Sequence, residues 1–274
     1  MQTDIAHPAV PEAAQIPYVT APEARELLHT ALERFLAVLE TLEPADWTQP
    51  TACTLWNVRD MVAHQAGGYA SGTSYREMLR QYTALPGRGQ LPEDAINALQ
   101  LRERAGQSPA ELIAELRQAG PIAIEKWAAH FRLIKPIAVP HPVGGRLSVR
   151  HLMWVIHSRD TWMHRLDICR ATQREFHQTR EHDGRIVALV MRDVDLRLRG
   201  QLGGRAVVFE LSGVAGGAWK IGSGAATAAV HMDALDFNLL ASGRDTYAVG
   251  RAKAHVSGET ALAELALQKT LVLY

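Results

Sequence analysis

Two side chains that could share a metal ion lie four residues apart in SRDTWMHRLDIC, residues 158–169. In an α-helix, Asp160 and His164 fall about 40° apart on one face and one turn apart along the axis. The same face carries apolar residues, among them Met153 and Met163. A carboxylate on a core-facing stripe is costly unless something compensates its charge. A divalent metal ion bound by this carboxylate and this imidazole would compensate it.

A metal site needs a third ligand from another element, and His64 in RDMVAHQAGG is the best candidate. Gly67 and Gly68 follow it inside the predicted helix, where each glycine costs about 1 kcal/mol relative to alanine. Two explanations stay open. The glycines leave room for a ligand beside the metal, or they allow close helix packing or a kink.

Other polar residues near these positions have competing interpretations. His157 lies roughly 10 Å from His164 along the helix axis, so one ion cannot easily bind both. His157 is therefore expected to contact a metal ligand from outside, to face substrate or to line the rim. Asp167 either orients a ligand imidazole or fixes a neighbouring loop, and we favour the loop. No base is evident for Cys53 as a nucleophile, so we expect a structural role. Asp–His pairs at this spacing also occur as purely structural hydrogen-bonding partners.

The composition limits the class of protein. The chain has 274 residues, 47% of them hydrophobic, with 29 basic and 29 acidic residues, which argues against a nucleic-acid partner or a membrane-surface patch. The two cysteines, Cys53 and Cys169, argue against a disulfide framework. No apolar run reaches the ~18 residues of a membrane span, and no secretory signal is evident, so the expected location is the cytoplasm.

Hydrophobic spacing predicts four long helices in the first part of the chain. They cover residues 22–42, 57–82, 108–131 and 148–171. Asn57 with Asp60 is a plausible start of the second helix, and Ser148 caps the fourth. Four long helices with modest connections predict a helical bundle.

The pattern changes after about residue 181. A helix is predicted over 186–198, followed by short β-like runs, RAVVFELSG, GAWKIGS and ATAAVHMD. A helix at DALDFNLLASG, a strand at AKAHVSG and a final amphipathic helix, GETALAELALQKTLVLY, complete an α+β pattern. We therefore expect a flexible N-terminal arm at 1–20, a helical bundle at 21–180 and a small α+β domain at 181–274.

Two segments resemble a known family. Residues 56–64, WNVRDMVAH, are similar to the W-x-V-x-D-L-V-x-H segment of the mycothiol-dependent maleylpyruvate isomerase family. Residues 160–171, DTWMHRLDICRA, are similar to its E-x-x-x-H-x-x-D-x-x-x-A segment. The tail segments LASGR, residues 240–244, and VSGE, residues 256–259, resemble the sterol-carrier-protein-2 type of domain that often follows the bundle. The resemblance implies an α-helical DinB-like four-helix bundle followed by a small α+β domain.

The resemblance also implies a metal site and a reaction. It assigns His64, Asp160 and His164 as ligands of a divalent metal ion, Zn²⁺ with Ni²⁺ as the alternative. Asp160 stands where the isomerases carry Glu, so the carboxylate is one methylene shorter. The implied cofactor is a low-molecular-weight thiol such as mycothiol. The implied enzyme uses this thiol to isomerise or conjugate a small electrophilic substrate. Arg244 is the best match to an arginine that family isomerases use near the substrate, where it would hold a substrate carboxylate. The alternative for Arg244 is a solvated arginine in a turn.

The sequence is also compatible with other functions. The chain could be a non-catalytic metal-binding or stress-response DinB-like protein, or a hydrophobic-ligand carrier with an apolar tunnel in residues 182–274. A regulator of the anti-sigma type would need a partner surface, and none is evident. The expected partners are a small-molecule substrate and a thiol, without nucleic acid or membrane, and a homodimer is left open.

Overall fold

The computed structural model describes residues 10–84, 92–129, 136–141 and 145–274. These residues form two compact units. The helical unit contains the described parts of 19–140 and 146–177, with Tyr274. The C-terminal unit contains 178–273 and also residues 10–18, with His141 and Gly145.

Four long helical segments build the helical unit, as the sequence predicts. They are α1 (Ala21–Leu39), α2 (Val58–Ser71), α5 (Pro109–Ala129) and a last segment in which α6 (Val149–His151) and α7 (His157–Ala171) are joined by a π-helical stretch, Leu152–Ile156. Two shorter helices, α3 (Tyr75–Tyr82) and α4 (Pro92–Glu103), lie between α2 and α5 in the chain. A two-stranded sheet of β1 (Ala138–His141) and β2 (Gly145–Ser148) precedes α6.

The four long helices enclose an apolar core. α1 packs against α5 and α7, and α2 packs against α5, α4 and α7. The largest fully buried side chains of this core include Phe35, Met61, Leu112, Leu116, Trp127 and Trp162. Gly120 lets α5 approach α1 closely, because a Cβ there would lie 2.3 Å from a methyl carbon of Leu32. This packing fixes α2 and α7, the helices that carry the candidate ligands, side by side.

Local sequence signals explain where these helices begin. Asn57 accepts a hydrogen bond from the N–H of Asp60, and the Asp60 carboxylate accepts one from the N–H of Asn57, which completes a capping box. Ser148 accepts from the N–H of His151 at 3.1 Å and caps the last segment. Both predicted helix starts are confirmed.

The structure corrects the second predicted helix. It is not continuous to Tyr82, because α2 ends at Ser71 and Ser74 starts α3 by accepting a hydrogen bond from the N–H of Glu77 at 3.0 Å. Helix α4 was not predicted, because proline and glycine at residues 86–89 indicated a break after the second helix; those residues lie outside the described ranges.

The C-terminal unit is the predicted α+β arrangement. Its sheet has the strand order β4 (Gly217–Gly222), β3 (Ala206–Ser212), β5 (Ala226–Asp233) and β6 (His255–Gly258), with β3 and β5 parallel and the other pairs antiparallel. Four helices accompany the sheet: α8 (Asp183–Leu198), α9 (Ala234–Ala241), α10 (Tyr247–Lys253) and α11 (Thr260–Gln268). Helix α10 was not predicted, and the last helix ends at Gln268, earlier than its sequence pattern predicts.

The described part of the expected N-terminal arm, residues 10–18, packs within the C-terminal unit. Ala13 is fully buried, and the carbonyl of Pro11 accepts a hydrogen bond from the N–H of Lys220 at 2.9 Å. The Lys220 ammonium pairs with Glu12 at 2.7 Å.

Within the described residues, every helix is too short or too polar to span a bilayer.

Candidate metal centre

The helical unit brings His64, Asp160 and His164 together, although His64 is about a hundred residues away in the chain. His64 lies on α2, and the other two lie one turn apart on α7. The His64 Nε2 atom is 3.4 Å from Asp160 Oδ2, and the His164 Nε2 atom is 3.2 Å from Asp160 Oδ1. The carboxylate therefore lies between the two imidazoles, each of which turns its Nε2 atom towards it.

The donor set suits a divalent cation. One ligand atom from each of the three residues lies within 4.8 Å of the other two. Two imidazole nitrogens and one carboxylate oxygen are a ligand combination found in catalytic zinc sites, where three protein ligands leave a further position open. The three side chains are only 5% to 22% exposed, so a cation there would be largely shielded from bulk water.

The two imidazoles determine the ionisation of Asp160. Burial alone would raise the pKa of this carboxyl group, but the neighbouring His164 and His64 rings outweigh burial and hold its pKa well below the ordinary value. The carboxyl group is therefore ionised at neutral pH and available as an anionic ligand.

Each candidate ligand also has a partner on its far side. His164 Nδ1 is 3.2 Å from Asp167 Oδ2, and His64 Nδ1 is 2.8 Å from Gln100 Oε1. Gln65 donates a hydrogen bond to Asp160. Such outer contacts commonly orient metal-binding side chains. Asp167 thus contacts the imidazole of a candidate ligand, which is one of the two roles considered for it from the sequence.

Sequence reasoning missed Gln65 and Gln100. Gln65 follows His64 directly, and its Oε1 accepts a hydrogen bond from the Thr161 hydroxyl at 2.8 Å, so one amide bridges α2 and α7. Gln100 comes from α4, the helix that was not predicted. The sequence carried no signal for either residue, because the burial of both amides is visible only once the helices are placed.

Two tryptophan rings pack against histidines of the helical unit, and one of them, Trp56, lies beside the candidate ligands. Trp56, just before α2, has its ring centroid 4.9 Å from that of His64 and 6.0 Å from that of His164. His157 stacks on Trp127 with centroids 4.1 Å apart and ring planes at 8°. Burial lowers the pKa of His157 to about 4, so this ring is neutral at pH 7.

The two glycines after His64 have different surroundings. A Cβ on Gly67 would lie 2.5 Å from the Cγ atom of Gln100, so this glycine permits α4 to pack closely against α2. A Cβ on Gly68 would meet nothing within 4 Å. Close packing is therefore the explanation for Gly67.

The remaining residues singled out from the sequence differ in position, and of these Cys53 lies beside the candidate centre. Arg244 belongs to the C-terminal unit, where it follows α9 and is half-buried. Cys53 is half-buried, and a ligand atom of it lies within 4.8 Å of ligand atoms of both His164 and Asp167. Cys169 is buried, and burial raises the pKa of its thiol.

Comparisons with solved structures identify the fold. The crystal structure of the mycothiol-dependent maleylpyruvate isomerase and that of its histidine-to-alanine mutant both align with a TM-score of 0.57 at 15% sequence identity. Each alignment covers 88% of this chain and 95% of the solved chain. At this identity the likeness concerns the fold. A search of curated proteins found no match.

A sequence profile gives the family. The profile described as the mycothiol maleylpyruvate isomerase N-terminal domain matches residues 28–169. The match covers more than half of the chain and includes His64, Asp160 and His164. The chain therefore belongs to the mycothiol maleylpyruvate isomerase N-terminal domain family.

Proposed function

We propose that this protein is a metal-dependent enzyme that uses a low-molecular-weight thiol to isomerise or conjugate a small electrophilic substrate. The observation that carries the proposal is the convergence of His64, Asp160 and His164, whose donor atoms lie within 4.8 Å of one another in a shielded part of the helical unit. Family membership supports the thiol and the isomerase-like substrate class.

These three residues would hold a divalent cation, Zn²⁺ with Ni²⁺ as the alternative. When bound, such a cation lowers the pKa of a thiol and so supplies thiolate near neutral pH. The chain's own contribution is to present an ionised Asp160 between two imidazoles. The Nδ1 atoms of these imidazoles contact Asp167 and Gln100. Trp56 lies beside both imidazoles and helps to keep water away from them.

The reaction class follows from thiolate chemistry. A thiolate adds to a conjugated carbon–carbon double bond, the new single bond rotates, and elimination of the same thiolate returns the alkene with the other geometry. The thiol is regenerated, so no oxidant or reductant is needed. In this scheme Arg244 would hold a carboxylate of the substrate through charge-assisted hydrogen bonds. Addition to an epoxide would instead leave the thiol attached to the product.

Metal analysis and activity assays test the proposal together. The purified full chain should contain about one equivalent of divalent metal, and mycothiol, glutathione or bacillithiol should support turnover of maleylpyruvate or an epoxide. His64→Ala should lose both metal and thiol-dependent turnover. His29→Ala, a change of the same kind on α1 at a histidine that pairs with Glu125 at 3.6 Å, should retain both.

The possible results separate the competing functions. Full metal content in His64→Ala would overturn the ligand assignment. Metal bound without turnover of any electrophile would favour a non-catalytic metal-binding protein. Tight binding of an apolar ligand by a protein free of metal would favour the carrier.

A further inference from the structure

Two buried glutamine side chains connect His64 to α3 and α4 of the helical unit. Gln81 of α3 is fully buried, and Gln100 of α4 is 3% exposed. Their amides form a chain of hydrogen bonds that starts at a backbone carbonyl and ends at the His64 ring. An amide donates hydrogen bonds through its nitrogen and accepts them through its oxygen, so the direction of such a chain determines which nitrogen of the His64 ring is protonated.

The first link fixes the orientation of Gln81. Its Nε2 atom lies 3.1 Å from the carbonyl oxygen of Gly67 and 2.8 Å from a carboxylate oxygen of Glu77. Both partners accept hydrogen bonds and cannot donate them when Glu77 is ionised. Glu77 is held ionised by Arg80, whose hydrogen bonds lower the pKa of this carboxyl group. The amide nitrogen of Gln81 must therefore face this side.

The second link follows from the first. With its nitrogen engaged, Gln81 presents Oε1 to Gln100, and Gln100 Nε2 donates to it at 2.8 Å. Gln100 then presents its own oxygen, Oε1, to His64 Nδ1 at 2.8 Å. A carbonyl oxygen accepts and never donates, so the proton of this hydrogen bond lies on Nδ1.

We propose that the Gln81–Gln100 relay fixes neutral His64 as the tautomer that is protonated on Nδ1, which leaves the lone pair of Nε2 directed at Asp160 and the candidate metal position. Gln100 and Gln81 are thus positioning residues. Without the relay, Nε2 would gain by carrying the proton, because Asp160 Oδ2 is a carboxylate acceptor 3.4 Å away. A protonated Nε2 cannot bind a metal ion.

Gly67 has two roles in this arrangement. Its carbonyl oxygen anchors Gln81, and its lack of a side chain admits Gln100, whose Cγ would lie 2.5 Å from a Cβ at this position. This accounts for glycine in a helix interior, where it is otherwise unfavourable by about 1 kcal/mol.

The test measures the tautomer in the metal-free full chain labelled with ¹⁵N-histidine. Long-range ¹H–¹⁵N spectra at a pH where His64 is neutral should show Nδ1 as protonated and Nε2 as unprotonated. His64→Gln identifies the signals. Gln100→Leu should move His64 towards the Nε2-protonated form, whereas Gln100→Glu should preserve the wild-type form because a carboxylate also accepts from Nδ1.

Two further variants separate proton positioning from packing. Gln81→Leu leaves every contact of His64 in place but removes the anchor of Gln100, so the relay predicts a mixture of tautomers and a purely structural role predicts none. Gln118→Leu, the same change at an exposed position of α5, should behave as wild type. These variants keep the test decisive if Gln100→Leu does not fold.

Zn²⁺ titration supplies the second measurement, since this inference rests on the proposed metal site. Loss of an outer partner of a ligand histidine weakens metal binding by roughly 10- to 100-fold, and that is the expected change for Gln100→Leu. Nε2-protonated His64 in the wild type, or an unchanged tautomer in both Gln100→Leu and Gln81→Leu, would overturn the relay. If the tautomers behave as expected but the wild type binds no Zn²⁺, the relay stands and the proposed function fails.

Discussion

The helical unit and the C-terminal unit use buried polar side chains differently. In the helical unit, buried or half-buried polar groups from α2, α4 and α7 form one connected cluster around Asp160 and its two neighbouring imidazoles, although they come from distant parts of the chain. In the C-terminal unit, Asn238 donates to the carbonyl of Ala234 in its own helix at 2.6 Å. Asp195 accepts from the N–H of Gly222 at 2.8 Å and pairs with Arg199 one turn further on at 2.7 Å.

This difference separates structural polar groups from candidate functional ones. A buried polar group that satisfies a nearby backbone group stabilises the fold and needs no further explanation. A carboxylate placed between two imidazoles, with further side chains contacting their far sides, concentrates ionisable groups beyond what the fold requires. The contrast predicts that equivalent changes in the two units will have different consequences.

The largest expected effect is at the centre of the convergent cluster. Asp160→Asn removes the negative charge of the carboxylate that lies between the two imidazoles, so Zn²⁺ affinity should fall at least about a thousandfold, equivalent to about 4 kcal/mol. Asp195→Asn, the same change in the C-terminal unit, should leave Zn²⁺ affinity unchanged. Competition titrations measure the Zn²⁺ affinity of each variant. Equal affinities would contradict the expected difference between the helical unit and the C-terminal unit.

The next effect concerns pH and His157. The folded pKa of about 4 lies below the ordinary value of 6.5, so between these values the unfolded chain binds a proton that the native protein does not. This contribution to stability is complete above pH 6.5 and is lost as the pH falls towards 4, by up to about 3 kcal/mol. His157→Phe keeps a ring stacked on Trp127 and should flatten this pH dependence in urea denaturation. Parallel pH profiles for the two proteins would contradict the expectation.

A smaller effect is expected for Asp195→Ala. This change removes the acceptor of the Gly222 N–H and one partner of a pair whose arginine is 44% exposed. The free energy of unfolding should fall by about 2 kcal/mol, in the range for hydrogen bonds to charged groups. Metal content should stay at the wild-type value, since this carboxylate serves the fold. Loss of metal in this variant would show that the two units are not functionally distinct.

The smallest expected effect tests whether the C-terminal unit contributes to the reaction. If Arg244 holds a substrate carboxylate, Arg244→Ala should raise KM for a dicarboxylate substrate about tenfold, near 1.4 kcal/mol, without changing metal content. Arg251→Ala, at an arginine paired with Glu264 at 2.6 Å, is the matched control in the same unit. An equal KM for Arg244→Ala and wild type would confine substrate binding to other residues.

Much of the fold could be predicted because its signals are local. Asn57 and Ser148 start helices in the structure as their sequence contexts predict, and the β-like runs after residue 205 form strands. The prediction of one helix through Tyr82 was wrong because apolar spacing continues across Gly72–Ser74 while Ser74 caps a new helix. An apolar pattern extends over many residues and does not reveal such a break, whereas a helix cap depends on a single residue.

The sequence by itself determined the pairing of Asp160 with His164, because four residues in a helix always place two side chains on one face. The sequence indicated His64 as a candidate ligand but not its position relative to Asp160 and His164, since contact between α2 and α7 depends on how their apolar faces pack. Only the tertiary structure decided that Gln100 meets His64 and that Asp167 meets His164 Nδ1. The direction of a hydrogen bond between buried amides depends on every neighbour at once, and those neighbours become defined only when the helices are assembled.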